Sequence, residues 1–249
     1  MIRHVCHTLL LISIMGILCS SLHAQNNKQQ SFIDRQLWMD YNYQAPFSDK
    51  FSLVGDVGIR GLISNYDWNQ VYVRPGVKYQ FNPYFGIAGS LAGFFTFNRD
   101  VRDLYEFRVT VDALAKWPDL KILNLSYRFR IENRTLILQN DPDVNNNWRA
   151  RLLISLNSKK FHVFSQQRAI YFQAQYEPFL NLGHLKGSEV FIKQTRIYAI
   201  FGHRISNAFG YDLQYIWQHN RLSAAYDLSI NVNMIRIRFY HRIQKRSKP

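Results

Sequence analysis

Cysteine is almost absent from this sequence of 249 residues. The two cysteines, Cys6 and Cys19, lie within the first 25 residues, a stretch that we predict to contain a cleaved signal peptide. The mature chain then has no thiol, which excludes disulfide bonds and thiolate chemistry. An exported protein of this kind is held together by backbone pairing and side-chain packing.

Long apolar runs are also missing. The apolar core at 9–18 follows Arg3 and precedes a cleavage site at 22–24, and these are the three parts of a secretory signal. This core is too short to cross a bilayer as a helix, and no later run is long enough either. We predict a signal peptide over residues 1–24 and one domain over residues 25–249.

Acidic residues are few: 17 Asp and Glu stand against 31 Lys and Arg. Without Arg3, which belongs to the predicted signal, the balance of the mature chain is 30 − 17 = +13. Because an exported chain rarely meets nucleic acid, we predict no nucleic-acid partner. The positive charge instead favours outer-membrane lipid, lipopolysaccharide phosphates or small anionic solutes as partners.

Alternation of apolar and polar residues is abundant. In the segment SYRFRIENR at 126–134, Tyr127, Phe129 and Ile131 alternate with charged side chains. Successive side chains of a strand point to opposite faces, so one face of this strand is apolar and the other is charged. Similar segments recur to residue 241, separated by turn residues, which is typical of a transmembrane β-barrel.

Eleven such segments can be counted, with connections of two kinds. Short connections fall near 46–50, 82–83, 116–120, 157–160 and 204–207. Longer polar connections fall near 61–68, 98–104, 134–147, 181–189 and 218–226. This alternation predicts short periplasmic turns and longer external loops in the bacterial outer membrane.

The predicted fold is therefore an all-β, antiparallel transmembrane β-barrel of 10–12 strands. Twelve strands are favoured, because single-chain bacterial barrels have an even number. A change of apolar parity between Val232 and Ile235 predicts a bulge in the last strand. A soluble periplasmic β-sandwich is the competing fold, because alternation by itself does not separate the two.

All five tryptophans lie near the ends of predicted strands: Trp38, Trp68, Trp117, Trp148 and Trp217. Indole favours the membrane interface, so we predict that they form an interfacial girdle. Trp38 fits less well, because it lies on the polar face of its strand. The alternative is that these are ordinary core tryptophans.

Several motifs resemble a known family when they are taken in order. They are LWMDY at 37–41, GDVGIRG at 55–61, DWNQVYVRPGVKY at 67–79, YEFR at 105–108, YRFRIENR at 127–134 and FIKQTRIY at 191–198. Together they resemble an uncharacterised exported family, common in Bacteroidetes, known as the domain of unknown function 2490. The resemblance covers essentially the whole mature chain. It implies an outer-membrane β-barrel with no established activity, and it supplies no catalytic residues.

The C-terminus departs from the usual barrel pattern. Phe239 and Tyr240 are followed by a basic tail, HRIQKRSKP, rather than standing at the end of the chain. This departure bears on how the outer-membrane assembly machinery, an expected partner, recognises the last strand.

The strongest group of candidate functional residues is the charged face. It comprises Arg60, Arg74, Glu106, Arg108, Arg128, Arg130, Glu132, Arg134 and Arg196. In one interpretation these side chains fill a narrow barrel as a structural network of ion pairs, some of them across neighbouring strands. In the other they line a narrow pore that prefers anions, because seven arginines face only two carboxylates.

An outer-membrane lipid-modifying hydrolase is the alternative function. It requires a Ser–His pair at the rim, and His184 and His219 lie near Ser188 and Ser223 in the sequence. No G-x-S-x-G motif is present. The histidines lack metal-ligand spacing, and the loop at 140–147 lacks the glycine and glutamate of a calcium hand. We predict a non-enzymatic protein with no catalytic residue, no metal and no cofactor.

Overall fold

The computed structural model describes residues 32–63, 67–118, 120, 122–141, 143–162, 168–182, 192–223 and 228–243. The predicted signal peptide at 1–24 lies outside these residues. The described part of the chain is all β, as predicted. A search of the same residues for a helix long and apolar enough to cross a membrane finds none.

Twelve strands form one sheet. They are β1 (Phe32–Pro46), β2 (Phe51–Leu62), β3 (Trp68–Gln80), β4 (Phe85–Asn98), β5 (Leu104–Lys116), β6 (Leu123–Leu138), β7 (Val144–Ser158), β8 (Phe161–His162), β9 (Ala169–Asn181), β10 (Ile192–Arg204), β11 (Phe209–Ser223) and β12 (Leu228–Arg242). The β-branched and aromatic residues that alternate along them suit a pleated, half-buried surface. Eleven strands close into a barrel, and the short β8 adds only to β9.

The barrel closes through a parallel pair. Every other neighbouring pair in the described sheet is antiparallel, but β1 and β12 run in the same direction, from the pair Phe32 and Ile230 to the pair Gln44 and Arg242. A ring of purely antiparallel pairs needs an even number of strands, whereas one parallel pair allows an odd number. The range of 10–12 strands is confirmed, but the even-number argument that favoured twelve does not hold for this ring.

The connections alternate between the two ends of the barrel. We call the end where β1 and β12 begin the first end, and the end where they finish the second end. The predicted short connections all lie at the second end, and the predicted long ones lie at the first. The difference in length is smaller than predicted, because strands continue into polar segments: the connection expected at 134–147 shortens to 139–143. Backbone pairing does not require alternating side chains.

The side chains divide cleanly between the inside and the outside of the barrel. Outward side chains such as Leu37, Met39 and Val57 are apolar and 37–54 % exposed along β1 and β2. Inward side chains are largely buried, and many of them are charged. The alternation seen in the sequence thus places the apolar face outside and the charged face inside.

The predicted bulge in β12 is wrong. The register of β12 with β1 is continuous from Ile230 to Arg242, so no extra residue is inserted between Val232 and Ile235. The apolar parity changes because Val232 and Met234 point inward, where they are 4 % and 1 % exposed. They belong to an interior apolar cluster that also contains Trp38, Tyr198, Ile200 and Ile216.

Candidate functional site

The interior of the barrel holds a cavity of about 460 Å³. Its walls contain eleven arginines: Arg60, Arg74, Arg108, Arg128, Arg130, Arg134, Arg149, Arg151, Arg196, Arg236 and Arg238. Four glutamines, Trp38, Leu153 and Tyr198 complete the lining, and no carboxylate among the described residues contributes to it. We call this cavity the arginine chamber.

Strand alternation explains why so many arginines meet here. On β6 the residues Arg128, Arg130 and Arg134 are two or four positions apart, so they share the inward face. The same spacing separates Arg149 from Arg151 on β7 and Arg236 from Arg238 on β12. All seven predicted arginines line the chamber. Glu106 and Glu132, the two predicted carboxylates, are inward and buried.

The described buried carboxylates lie in the interior of the barrel but do not line the chamber itself. The described interior contains seven of them: Asp40, Asp56, Glu106, Asp112, Glu132, Glu177 and Asp212. The balance between the arginines of the chamber and these carboxylates is 11 − 7 = +4. Such an excess of buried charge is costly unless water or an anion lies beside it.

Two arginines at the second-end side of the chamber are fixed by two-point bonds. Arg74 donates from Nε and NH2 to the two oxygens of Asp56, at 2.7 Å each. Arg130 donates in the same way to Asp112, at 2.6 and 2.7 Å. The planar fork of a guanidinium matches a carboxylate in this geometry, so both side chains are held at fixed positions.

Four other carboxylates each contact two arginines. Asp40 accepts from Arg236 and Arg238, Glu106 from Arg108 and Arg134, Glu132 contacts Arg149 and Arg151, and Glu177 accepts from Arg128 and Arg151. The bond between Arg134 and Glu106 joins β6 to β5, as the predicted cross-strand pairing requires. Sharing leaves the network with fewer negative than positive groups.

Aromatic faces stabilise part of the remaining charge. The Cζ atom of Arg60 lies 4.2 Å from the ring centre of Trp38, 4.5 Å from that of Tyr72 and 5.4 Å from that of Phe94. Arg108 lies 3.8 Å from the same Phe94 ring. A cation over an aromatic face is stabilised by about 0.5–2 kcal/mol, but the ring does not neutralise it.

Asp212 is bound differently from the other carboxylates. It accepts from the hydroxyls of Tyr171 at 2.5 Å and Tyr240 at 2.8 Å, and from the Gln214 amide at 3.3 Å. Within the described part of the chain, no guanidinium bonds to it. It is therefore a buried carboxyl group held by neutral donors.

Three further cavities open toward the second end, with volumes of about 300, 290 and 410 Å³. The first shares Arg74 and Arg130 with the arginine chamber, so these two side chains stand between the two spaces. The other two are lined by cations that include Lys116, Lys160 and Arg204. Partial burial, together with the nearby charges of Arg204 and Arg242, lowers the pKa of Lys160. The second end is thus basic as well.

The predicted tryptophan girdle is divided by the structure. Trp38 is buried inside the barrel at 5 % exposure, and Trp68 shares the inward face of β3, so neither lies on the outer surface. Trp148 is 52 % exposed near the first end, and Trp117 is 57 % exposed at the second end. Trp217 points outward on β11, where it stacks on a neighbouring histidine. A girdle on the outer surface is therefore confined to three of the five.

Two of the described histidines have partners other than serine. His219 Nδ1 lies 3.0 Å from Asn231 Oδ1, and the Tyr41 hydroxyl lies 2.6 Å from Nδ1 of His241. In the described ranges no hydrogen bond joins a serine to a histidine. The side chains of His184, Ser188 and Ser223 lie outside the described residues, so the predicted hydrolase pair stays a prediction. The described residues also contain no group of three potential metal-ligating side chains.

Sequence reasoning missed nine charged residues of this interior. They are Asp40, Asp56, Asp112, Arg149, Arg151, Glu177, Asp212, Arg236 and Arg238. Most carried a usable signal, because they lie on the polar face of an alternating segment. In the sequence, Asp40, Asp56 and Asp112 alternate with apolar residues and so lie on the face opposite to them. Arg236 and Arg238 are two positions apart and therefore share a face. Glu177 and Asp212 lacked a charged neighbour on their own strands that would have marked them.

Comparison with known proteins gives a family but no activity. A search of curated proteins found no match. The family described as "Protein of unknown function (DUF2490)" matches residues 35–229, which span β1 to the start of β12 and include most of the arginine chamber. Because the match covers well over half of the sequence, the chain belongs to the DUF2490 family of proteins of unknown function.

Proposed function

We propose that this protein is a non-enzymatic β-barrel of the bacterial outer membrane that acts as a narrow, anion-preferring channel. The observation that carries the proposal is the arginine chamber, whose lining has eleven guanidinium groups and no carboxylate among the described residues. Rings of Arg or Lys select for anions and phosphates in pores. If these side chains served only to fill the interior of the barrel, neutral side chains or equal numbers of cations and anions would be sufficient.

The outer surface supports the membrane location. Neighbouring strands present a broad apolar face of exposed aliphatic and aromatic residues, among them Leu53, Val73, Leu91 and Val109. Soluble monomers rarely expose apolar patches above a few hundred square ångströms, because such surface drives association. Lipid tails accept this surface, and the basic second end suits the phosphates of anionic lipid head groups. Insertion requires the outer-membrane assembly machinery as a partner.

The cavities support a path that starts at the second end. Lys116 lines one of the cavities at that end, and Arg242 lines the first small cavity. The fixed guanidiniums of Arg74 and Arg130 then border both this cavity and the chamber. Small anions therefore meet cationic side chains in both cavities, although Asp56 and Asp112 also line the first.

Planar-bilayer recording of the refolded mature protein tests the proposal. In a tenfold KCl gradient, a perfectly anion-selective pore gives a reversal potential of about 59 mV, and we expect the sign that corresponds to chloride. The double variant Arg60→Gln, Arg196→Gln should reduce this potential, because it removes two chamber charges without leaving a carboxylate unpaired. Arg35→Gln, on the outward face of β1, is the matched control and should change little.

Two outcomes would contradict the channel. Discrete conductance that prefers cations would show that the arginines do not set selectivity. Silence from a protein shown to be folded would mean that the ion pairs close the lumen and that the barrel is structural.

The hydrolase alternative has its own test. Replacing His184 and His219 by alanine should abolish phospholipid hydrolysis if a rim Ser–His pair acts on lipid. A channel should conduct unchanged in both variants.

A further inference from the structure

We propose that Arg60 and Arg196 form a binding site for one small oxyanion of the phosphate class, over the indole of Trp38. This inference names the binding point on the proposed anion path and so rests on the proposed function. Nine of the eleven arginines in the chamber contact a described carboxylate. Of these eleven arginines, only Arg60 and Arg196 have no carboxylate partner among the described residues.

Neutral groups hold both arginines. Arg60 donates from NH1 to the side-chain oxygen of Gln70 at 3.1 Å, and Arg196 donates from Nε to that of Gln218 at 2.6 Å. The Nε atom of Arg60 is buried and has no hydrogen-bond partner among the described residues. A buried donor without an acceptor is costly, so an anion that reached this N–H would remove that cost.

The two guanidiniums lie close enough to share one ligand. The Cζ atom of Arg60 is 4.2 Å from the centre of the Trp38 ring, and that of Arg196 is 5.3 Å from the same centre. The two Cζ atoms are therefore at most 4.2 + 5.3 = 9.5 Å apart. Both guanidiniums line the arginine chamber, and an oxyanion placed between them would accept from each through a different pair of its oxygens.

The net charge around Trp38 is positive and favours a bound anion. A third guanidinium, that of Arg236, lies 5.6 Å from the Trp38 ring, but it is paired with Asp40. The aromatic faces stabilise Arg60 by much less than the cost of burying a charge without a counter-ion. Two unneutralised cations around one indole therefore form a positive site that a bound anion stabilises.

The geometry also selects the class of anion. A guanidinium fork presents parallel N–H groups that match two oxygens of one phosphate or carboxylate. Chloride, which has a single centre, cannot accept from both forks in this way. The site should therefore prefer multi-oxygen anions, and dianions in particular, because two positive charges face it.

Binding can be measured on the folded barrel in detergent with inorganic phosphate as the probe. The readouts are the thermal unfolding midpoint and the intrinsic tryptophan fluorescence, each with chloride at equal ionic strength as the comparison. Phosphate should raise the midpoint and change the fluorescence in a saturable way. Arg60→Gln and Arg196→Gln should each weaken binding about tenfold, which is 1.4 kcal/mol. Trp38→Phe should lose the fluorescence change and retain the midpoint shift.

Controls make the outcomes decisive. Arg35→Gln removes an outward charge and should bind phosphate like the wild type. Equal effects of chloride and phosphate, or unchanged binding in both arginine variants, would overturn the site. Conductance is not part of this assay. Phosphate binding in a barrel that does not conduct would refute the channel alone, and conductance without phosphate binding would refute the site alone.

Discussion

The sharpest test of the interior network is the removal of one carboxylate charge at Glu177. This side chain is 0 % exposed and accepts from Arg151 at 2.7 Å, from Arg128 at 3.0 Å and from the Tyr198 hydroxyl at 2.6 Å. The substitution Glu177→Gln preserves its shape but removes its charge. Arg128 then has no carboxylate partner among the described residues.

The magnitude follows from these contacts. A hydrogen bond to a charged group contributes about 1.5–3 kcal/mol, and Glu177 makes such bonds to two arginines. Arg151 also contacts Glu132 at 3.5 Å, and Arg128 is 27 % exposed toward the chamber, so both losses are partial. We expect the free energy of unfolding to fall by about 3 kcal/mol, the lower end of the range for breaking a buried ion pair.

A matched control separates loss of charge from loss of packing. Asp212 is buried to the same degree, at 1 % exposure, but its described partners are hydroxyls and an amide. Asp212→Asn replaces a carboxylate that no described guanidinium bonds, so it leaves no buried cation without its counter-ion, and we expect a smaller loss than for Glu177→Gln. Urea unfolding of the refolded barrel, followed by fluorescence and by the heat-dependent shift on a gel, measures both variants. If Glu177→Gln is no more destabilising than Asp212→Asn, the ion-pair argument is refuted.

Two further predictions concern packing and the outer surface. Gly202→Ala should destabilise the barrel by about 1–3 kcal/mol, because a Cβ atom there would lie 2.1 Å from the ring of Tyr171. Gly89→Ala, where the new Cβ atom would lie 4.0 Å from the backbone oxygen of Thr110, should change stability by less than about 0.5 kcal/mol in the same urea assay. Val57→Arg, on the outward face of β2, should cost about 2–4 kcal/mol in a lipid bilayer, and Val101→Arg in a connection should cost little. Equal tolerance of both arginines in lipid would argue against membrane insertion.

Most of the correct predictions came from the alternation of apolar and polar residues along the strands. The period of two in SYRFRIENR fixed which side chains share a face, and Arg128, Arg130 and Arg134 all point into the barrel. The cross-strand bond between Arg134 and Glu106 also follows, because consecutive strands in a barrel pair with each other. These are local consequences of strand geometry, so one sequence is enough to obtain them.

Other features escaped prediction because they depend on contacts between distant segments. Val232 and Met234 interrupt the apolar parity of β12, and the sequence favoured a bulge. They lie inward because Trp38 and Ile216 provide an apolar patch for them. Glu177 also looked unremarkable in the sequence, although it binds arginines from two other strands.

The sequence by itself determined the all-β class, which side chains share a face of each strand, and the basic character of one of those faces. Each of these depends on the order of residues within a single strand. The tertiary structure decided the eleven-strand ring, the parallel pairing of β1 with β12 and the chamber that arginines line without carboxylates. Closure brings together strands that are far apart in the chain, and the balance of charge at any point inside depends on which strands face one another there.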